Sequence, residues 1–320
     1  MLPARLQLGD EIRVVSPSSS MASIGGMEAN EAAKQHLEQL GYVVTFGKHI
    51  HENDRLHSAS IESRVSDLHD AFRDPNVKAI LATIGGYNSN ELLPHLDYEL
   101  IRASPKIICG YSDTTALTNA IFAQTGLITY SGASYSSFKM TALQEYQTRM
   151  WLRAVTETAY ALQPSEQWSS DEWFLPHCER EFFPTQWKVY QAGKARGTSI
   201  AGNLSTFSLL RGTPYFPQVE APILFIESAE GYDYLQFARY LAALFQAIPQ
   251  PKAVLIGRFP KECQMTETLL HYILDKYPIL RQIPVMYDID FGHTQPFFTF
   301  PIGACVEVNT AQLSIRVSGR

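Results

Sequence analysis

The sequence contains no apolar run that approaches the ~18 residues needed to cross a membrane. Its first residues, Met-Leu-Pro-Ala-Arg, lead into a polar turn and not into the apolar segment of a signal peptide. The formal net charge of -6 is opposite in sign to the basic surface that nucleic-acid binding needs. We therefore expect a cytoplasmic protein with neither a membrane nor a nucleic acid as its partner.

Signatures of nucleotide cofactors are missing as well. The first predicted strand, 12–16, runs into Ser-Pro-Ser-Ser-Ser at 16–20, where a dinucleotide-binding protein has G-x-G-x-x-G. A turn rich in Pro and Ser gives the backbone little close approach to a pyrophosphate. The phosphate-binding pattern G-x-x-x-x-G-K-[ST] does not occur either. We expect no cofactor.

Disulfide pairs and metal ligands are sparse too. The four cysteines are scattered: Cys109, Cys178, Cys263 and Cys305. This spacing is typical of reduced thiols and not of a disulfide framework or a zinc site. One stretch concentrates possible metal ligands: His49, His51, Glu52, Asp54 and His57. Alternating residues on a strand could chelate an ion, but such a stretch is more often a solvated loop, so we expect no metal.

What the first half does contain is a regular alternation of strands and helices. Strands are predicted at 12–16, 42–46, 77–84, 107–109 and 127–130, and helices at 27–40, 60–73, 114–124 and 143–157. This alternation is typical of a parallel sheet with helices on both faces, a Rossmann-like or flavodoxin-like α/β domain. Such sheets bind ligands at the carboxyl ends of their strands, where Gly85-Gly86 and Gly110-Tyr111-Ser112 lie.

The rest of the chain divides into two parts. Residues 159–191 are polar and rich in turns, and they hold three of the four tryptophans: Trp168, Trp173 and Trp187. Beyond them, strands at 198–201, 223–227 and 253–256, and near 285, 298 and 306, mix with helices at 205–210, 234–245 and 266–276. We predict an N-terminal α/β domain at 1–158, a linker with a substrate-covering loop at 159–191, and a C-terminal domain at 192–320.

The segment at 106–115, Lys-Ile-Ile-Cys-Gly-Tyr-Ser-Asp-Thr-Thr, has the pattern that presents a nucleophile. A short apolar strand fixes the position, a tight turn exposes the hydroxyl of Ser112, and the next helix offers N–H groups to an oxyanion. Ser112 or Asp113 could instead be an ordinary helix N-cap. The segment is not G-x-S-x-G, because Thr114 replaces the second glycine.

Two later strand ends supply an acid and a base. Glu227 ends the apolar run 221–227, and His293 follows a glycine within 287–294. Alone, Glu227 could be a strand-end carboxylate and His293 a loop histidine. Together with Ser112 they could form a nucleophile–base–acid relay. The order Ser, Glu, His also matches the α/β-hydrolases, but the missing glycine and the extra domain argue against that fold.

Five segments in order, over nearly the whole chain, resemble the LD-carboxypeptidase family of serine peptidases, which includes the microcin C immunity proteins. They are GDEIRVVSPSS (9–19), IGGYNSN (84–90), GYSD (110–113), GTSIAGNL (197–204), and FGHT (291–294) followed by FPIG (300–303). The Trp-rich window at 163–187 and the runs VLIGRF (254–259) and QMT (264–266) look more like the immunity branch. The resemblance implies Ser112 as nucleophile, Glu227 as acid and His293 as base. It also implies an oxyanion hole from the N–H groups of Gly86 and Asp113, and a barrel-like α/β second domain.

The sequence departs from the family at two points. Ala201 stands where the family has the first glycine of Gly-Gly-Asn-Leu. Ser228 stands where an aspartate usually follows the acid, which leaves Glu230 as a competitor for that role. Neither change removes a member of the predicted triad.

The resemblance further implies substrate contacts from Asn203 and Arg258 and from two rings of the covering loop, Trp173 and Trp187. The rings would stack on a planar group. A loop tryptophan could equally pin the linker onto the second domain, and the sequence does not assign which ring contacts substrate.

We therefore expect a serine hydrolase that cleaves an amide bond in a peptidyl-aminoacyl-nucleotide of the microcin C type, giving self-immunity or detoxification. The alternative is a murein tetrapeptide LD-carboxypeptidase of cell-wall recycling. A non-catalytic sugar- or nucleotide-binding module on the same scaffold is a third hypothesis, against which the retention of all three triad candidates argues. The expected partner is a small peptide or peptide-nucleotide, and the expected assembly is a homodimer.

Overall fold

The structure, a computed structural model, describes residues 1–174 and 179–318. Cys178 lies outside the described residues, and the other three cysteines are free thiols. Across the described ranges, no helix combines the length and the apolar character that a bilayer span requires.

The first half of the chain forms a sheet of parallel strands. They are β1 (Glu11–Val15), β2 (Val43–Phe46), β3 (Val77–Ala82), β4 (Ile107–Gly110) and β5 (Thr129–Ser131), in the order β2-β1-β3-β4-β5. Two consecutive residues of β3, Ile80 and Leu81, point to opposite faces and are buried in two different hydrophobic clusters. Both faces of the sheet are therefore covered, which explains why its central strands are continuous apolar runs.

Five helices belong to this half: α1 (Glu31–Gln39), α2 (Ile61–Arg73), α3 (Tyr98–Ala103), α4 (Thr114–Thr125) and α5 (Gln144–Thr156). Ser60 begins α2 by accepting a hydrogen bond from the Ser63 N–H at 3.1 Å. Gly126, with φ +72°, ends α4 in the left-handed conformation that glycine adopts without strain. The alternation predicted for this half is confirmed.

The helix predicted at 27–40 begins later than expected. Residues 21–24 and 28–30 form 3-10 turns, and α1 starts at Glu31. The Asn30 side chain donates to the carbonyls of Ile24 and Gly26 at 3.1 and 2.7 Å. These side-chain bonds stabilise a turn before Glu31 and compete with the backbone hydrogen bonds of a helix. The six-residue helix α3 was not predicted at all.

The second half forms an eight-stranded mixed sheet. The remaining strands are β6 (Tyr160–Leu162), β7 (Gln167–Trp168), β8 (Phe183–Pro184), β9 (Lys188–Gln191), β10 (Lys194–Asn203), β11 (Ile223–Glu227), β12 (Ala253–Gly257), β13 (Val285–Ile289), β14 (Phe300–Ile302), β15 (Cys305–Asn309) and β16 (Ser314–Ser318). The sheet order is β6-β16-β15-β10-β11-β12-β13-β9, and its central strands β10 to β13 are parallel. Three helices accompany it: α6 (Leu204–Ser208), α7 (Tyr234–Ala247) and α8 (Glu267–Leu274).

Two features of the second half cross the boundaries predicted from sequence. The strands β6 and β9, from the predicted linker, form the two ends of the second sheet's strand order. The strand β14, from the predicted C-terminal domain, pairs antiparallel with β5 and completes the first sheet. Its Phe300 stacks on Phe225 of β11 with ring centroids 4.2 Å apart, so the two sheets share a core.

A hydrogen-bonded seam between α4 and β10 joins the two halves beside the nucleophile. The Asn119 side chain donates to the Ala201 carbonyl at 3.0 Å and accepts from the Ala201 N–H at 3.1 Å. The Asn203 N–H donates to Thr115 Oγ1 at 3.1 Å. These buried, reciprocated bonds fix the start of α4 against the carboxyl end of the second sheet.

Candidate active site

Ser112 lies in the turn between β4 and α4, at the carboxyl end of the first sheet. Its φ of +58° is left-handed, a conformation that costs a residue with a side chain about 1–3 kcal/mol and that clusters at functional sites. Gly110, two residues before Ser112, leaves no room for a side chain, because a Cβ there would lie 2.9 Å from the Cβ of Ala82. The turn presents a partly exposed hydroxyl at the sheet edge, as nucleophile elbows do.

Glu227 and His293 meet Ser112 from the second half of the chain. Glu227 is the last residue of β11 and is 2% exposed. His293 Nδ1 lies 2.7 Å from Glu227 Oε2, and His293 Nε2 lies 3.0 Å from Ser112 Oγ. Because a carboxylate only accepts, a neutral His293 carries its proton on Nδ1 and leaves Nε2 to accept from the serine hydroxyl. This arrangement meets the geometric demands of a nucleophile–base–acid relay.

Two glycines make room for the Glu227 side chain. A Cβ on Gly257 would lie 2.9 Å from the Cβ of Glu227. Gly292 has φ +104°, and a Cβ there would lie 2.8 Å from Glu227 Oε2. The glycine that precedes His293 is therefore needed both for its backbone conformation and for the close approach of the carboxylate.

The electrostatics of the site favour a protonated imidazole. Burial alone lowers the pKa of His293, but the charge and hydrogen bond of Glu227, with a contribution from the charge of Glu230, outweigh it and raise the pKa to about 8. Desolvation raises the pKa of Glu230 itself. Of the two carboxylates that competed for the acid role, Glu227 makes the hydrogen bond and Glu230 contributes charge.

The predicted oxyanion hole lies directly against the nucleophile. A Cβ on Gly85 would lie 3.0 Å from Ser112 Oγ and 3.5 Å from Asp113 N. Gly86 has φ +147°, and a Cβ there would collide with the side chains of Ser18 and Ser19. Within 1–174 and 179–318, neither the Gly86 N–H nor the Asp113 N–H donates to a protein acceptor. Both amides are therefore available to a developing oxyanion.

The Asp113 side chain ties the glycine loop to the nucleophile turn. Its Oδ2 accepts from Ser18 Oγ at 2.6 Å and from the Ser89 N–H at 2.8 Å. Ser89 Oγ donates in return to the Asp113 carbonyl at 2.7 Å. Two of these buried hydrogen bonds hold the loop that carries Gly86, and the third holds the turn at Ser18.

The covering loop, residues 163–187, is fastened beside the segment that carries His293. Ser169 and Gln295 exchange two backbone hydrogen bonds of 2.8 and 2.9 Å. Lys261 Nζ lies 2.6 Å from Asp171 Oδ1. The described part of the loop is therefore joined to the segment that carries His293.

The three tryptophans of this loop lie in different surroundings. Trp187 is 3% exposed, and its Nε1 donates to Asp290 Oδ2 at 2.7 Å. This placement corrects the expectation that Trp187 contacts substrate, because the ring is a core side chain. Trp168 lies over the Arg258 guanidinium at 4.6 Å. Trp173 is partly exposed and makes an edge contact with Phe174.

The other two predicted substrate residues are held by the protein itself. Asn203 Oδ1 accepts from the Thr206 N–H at 3.1 Å and caps α6, and its Cα pairs in register with that of Glu227. It lies next to the triad. Arg258 is 3% exposed and ion-paired with Asp290 at 3.0 Å. This corrects the expectation for Arg258, whose guanidinium is occupied by a buried carboxylate.

Several residues around the triad were missed. Tyr111 packs its ring 5.3 Å from that of His293 and 4.8 Å from that of Phe297, and burial raises its pKa. Its place directly before Ser112 was a usable signal. Asp290 and Ser89 gave none, because their contacts are with residues far away in the sequence.

The stretch at 49–57, considered above for metal binding, forms local contacts, such as the 2.6 Å contact between His49 Nδ1 and Glu52 Oε1. Among the residues that the structure describes, no three His, Cys, Asp or Glu side chains are grouped so that they could hold an ion.

Comparison with known proteins matches both halves of the chain to one family. Residues 12–132 match the LD-carboxypeptidase N-terminal domain, and residues 196–308 match the LD-carboxypeptidase C-terminal domain. A Bacillus subtilis (strain 168) protein named "Putative carboxypeptidase YocD" is 46% identical over 99% of this chain and 98% of its own.

Proteins of two named specificities are also similar. The microcin C7 self-immunity protein MccF of Escherichia coli is 30% identical over 99% of this chain and 96% of its own. The murein tetrapeptide carboxypeptidase of Pseudomonas aeruginosa is 26% identical over 91% of each chain.

Solved structures agree with the fold. The MccF-like protein from Bacillus anthracis superimposes with a TM-score of 0.96 at 44% identity, over 100% of both chains. MccF in complex with aspartyl sulfamoyl adenosine superimposes with a TM-score of 0.91 at 29% identity, over 100% of this chain and 99% of that one.

Proposed function

The chain belongs to the LD-carboxypeptidase family and is a serine-type hydrolase, and we propose that it cleaves an amide bond in a peptidyl-aminoacyl-nucleotide of the microcin C type. Such cleavage gives self-immunity or detoxification. The observation that carries the proposal is the seating of the covering loop, whose backbone at Ser169 is bonded to Gln295, two residues beyond His293. Trp168 and Trp173 therefore belong to a segment that is joined to the segment of His293.

In this reaction Ser112 Oγ attacks the carbonyl carbon of the amide, and its proton passes to His293 Nε2. The N–H groups of Gly86 and Asp113 stabilise the tetrahedral oxyanion. Collapse breaks the C–N bond, and His293 returns the proton to the leaving amine. Water then attacks the acyl-enzyme by the same route and restores Ser112. Glu227 holds the imidazole tautomer and stabilises the imidazolium.

The choice of a nucleotide-bearing substrate is supported by chemistry and by likeness. A purine ring offers a planar face on which an aromatic side chain stacks with about 1–3 kcal/mol. Among the residues that the structure describes, no cation lies over the ring of Trp173, the other partly exposed tryptophan of the loop. MccF, which shares this fold, has been solved with aspartyl sulfamoyl adenosine bound.

The second candidate function is removal of a terminal D-amino acid from a murein tetrapeptide. The same relay would cleave that amide bond without any need for a stacking ring. The likeness to the Pseudomonas aeruginosa murein tetrapeptide carboxypeptidase supports this candidate.

A direct comparison of turnover separates the two. The purified protein is offered a peptidyl aspartyl-sulfamoyl-adenosine and a murein tetrapeptide at matched concentrations, with Ser112→Ala as the blank. A kcat/KM that favours the nucleotide by tenfold or more would support the proposal. A preference of that size for the tetrapeptide would replace it with the murein function.

Two further expectations accompany this function. We propose that the protein works as a homodimer and acts in the cytoplasm, where its peptide or peptide-nucleotide substrate would be met. Light scattering on the purified protein measures the first, and fractionation of cells measures the second.

A further inference from the structure

Besides Glu227, a second carboxylate is buried in this part of the fold, that of Asp290, three residues before His293 in the sequence. Asp290 follows β13 directly and is 0% exposed. Its two oxygens accept four hydrogen bonds: from the Ser165 N–H at 3.1 Å, Ser165 Oγ at 2.7 Å, Trp187 Nε1 at 2.7 Å and Arg258 Nη2 at 3.0 Å. Every donor is itself buried, so water cannot replace any of them.

The hydrogen-bond donors show which segments of the chain the Asp290 carboxylate anchors. Ser165 and Trp187 are the two ends of the covering loop, and both bond to the same side chain. The described residues at the beginning and at the end of the loop are therefore anchored to one buried carboxylate. Its position depends on a residue more than a hundred positions away in the sequence.

The same carboxylate also holds the segment of the base. Arg258, which is paired with Asp290, donates through Nη1 to Thr294 Oγ1 at 3.4 Å, directly after His293. The Asp290 carbonyl accepts from the Phe298 N–H at 2.8 Å. The segment around His293 is thus bonded to Arg258 and Asp290, the ion pair that also anchors the covering loop.

From these contacts we infer that Asp290 is a positioning residue, which keeps the covering loop and His293 in one fixed relation. The anchoring of the loop at Ser165 and Trp187 and the position of the segment of the base then depend on one carboxylate. The inference rests on the proposed function for its kinetic part, while the anchoring of the loop can be measured without any substrate.

Asp290→Asn tests this with the smallest change of shape. An amide keeps one acceptor oxygen, and its NH₂ group faces donors that had been bonded to a carboxylate. We expect faster proteolytic cleavage within 163–187. We also expect a kcat/KM lower by about 100-fold, as when a reacting group moves by about 1 Å, with part of the loss in KM. Asp275→Asn is the matched control, because Asp275 bonds only the distant Tyr190 and Arg281 side chains in the hydrogen bonds described.

Kinetic constants are taken per active site, counted by fluorophosphonate labelling of Ser112 with intact-mass readout. Unchanged protease resistance of the loop, or an unchanged kcat and KM per labelled site with only a lower melting temperature, would overturn the inference. Wild-type protein that neither labels nor turns over would overturn the proposed function instead, and the proteolysis result would still decide the role of Asp290.

A milder variant decides the question if Asp290→Asn does not fold. Trp187→Phe keeps an aromatic ring in the core and removes one of the four donors. It should loosen the loop and raise KM to a degree between wild type and Asp290→Asn. Wild-type loop protection together with a wild-type KM in Trp187→Phe would contradict the inference.

Discussion

The turn that carries Ser112, within 107–125, and the described part of the covering loop, 163–174 and 179–187, are held in different ways. The turn is shaped by its own neighbours in sequence: the buried strand β4, Gly110, and the helix α4 that follows at once. The loop is held by residues far from it in the sequence, above all by the Asp290 side chain and the Gln295 backbone. A site built from local structure can be recognised from sequence, whereas a site closed by long-range contacts cannot.

The two regions also differ in where strain and charge are placed. Ser112 keeps a left-handed backbone that its strand and helix impose. The covering loop closes on a buried ion pair, Arg258 with Asp290, which is strongly destabilising to break from one side. We expect changes in the turn to abolish chemistry and leave the fold, and changes under the loop to alter both.

The largest effect should come from Ser112→Ala. Without the nucleophile, only binding and the oxyanion hole remain, and comparable losses in a serine protease are on the order of 10⁶ in kcat. Single-turnover kinetics at high enzyme concentration measures the residual activity, and thermal unfolding checks that the variant keeps the fold. Retention of more than about a tenth of the wild-type kcat would mean that Ser112 is not the nucleophile.

The next effect should come from Glu227→Gln, with Glu230→Gln as its matched control. The amide can no longer stabilise the imidazolium or favour the productive tautomer, so we expect a loss of about 10⁴ in kcat. Glu230 does not hold the imidazole, and its replacement should be mild. The reverse ranking in steady-state kinetics would assign the acid to Glu230.

These two predictions rest on the part of the site that the sequence could reveal. Ser112, Glu227 and His293 each end or follow an apolar strand, β4 of the first sheet for Ser112 and β11 and β13 of the second sheet for the other two, and the carboxyl ends of parallel strands are where ligands bind. The first sheet was predictable because strands and helices alternate regularly along the first half of the chain. The short helix α3 escaped because six residues carry little periodicity, and β14 was placed with the wrong sheet because its partner, β5, lies far away in the sequence.

The covering loop marks the limit of such reasoning. Its aromatic residues were visible in the sequence, but their surroundings were not. Trp187 and Arg258 carry the residue types of a binding site and are nevertheless buried against Asp290. A pattern gives the chemistry of a side chain, and only the tertiary contacts decide whether that chemistry faces the substrate or the core.

The pH dependence of kcat/KM should report the charge beside His293. The base must be neutral to accept the serine proton, and its pKa is raised to about 8. We therefore expect kcat/KM to rise about tenfold per pH unit up to about pH 8 and then to level off. In Glu227→Gln the residual activity should level off at lower pH, because burial remains while the charge is gone. An unshifted profile would contradict the role of Glu227.

Stability should respond to pH in the opposite sense. A histidine whose pKa is raised by folding stabilises the folded state fully below its unfolded value of 6.5, and this contribution is lost as the pH rises through about 8. Unfolding by urea at pH 6 and pH 9, in wild type and in His293→Gln, isolates that contribution. Equal pH dependence in the two proteins would contradict it.

The smallest effect, and the most selective, should come from the covering loop. Trp173→Ala removes a partly exposed ring of the covering loop, so under the proposed function we expect kcat/KM to fall about 5- to 150-fold on a peptidyl aspartyl-sulfamoyl-adenosine. Turnover of a murein tetrapeptide should be kept, because that substrate has no base to stack. Trp187→Ala is the contrast, since losing a buried ring that bonds Asp290 should lower the melting temperature and both activities together. Parallel losses in Trp173→Ala, or none, would contradict stacking by this ring and favour the murein substrate.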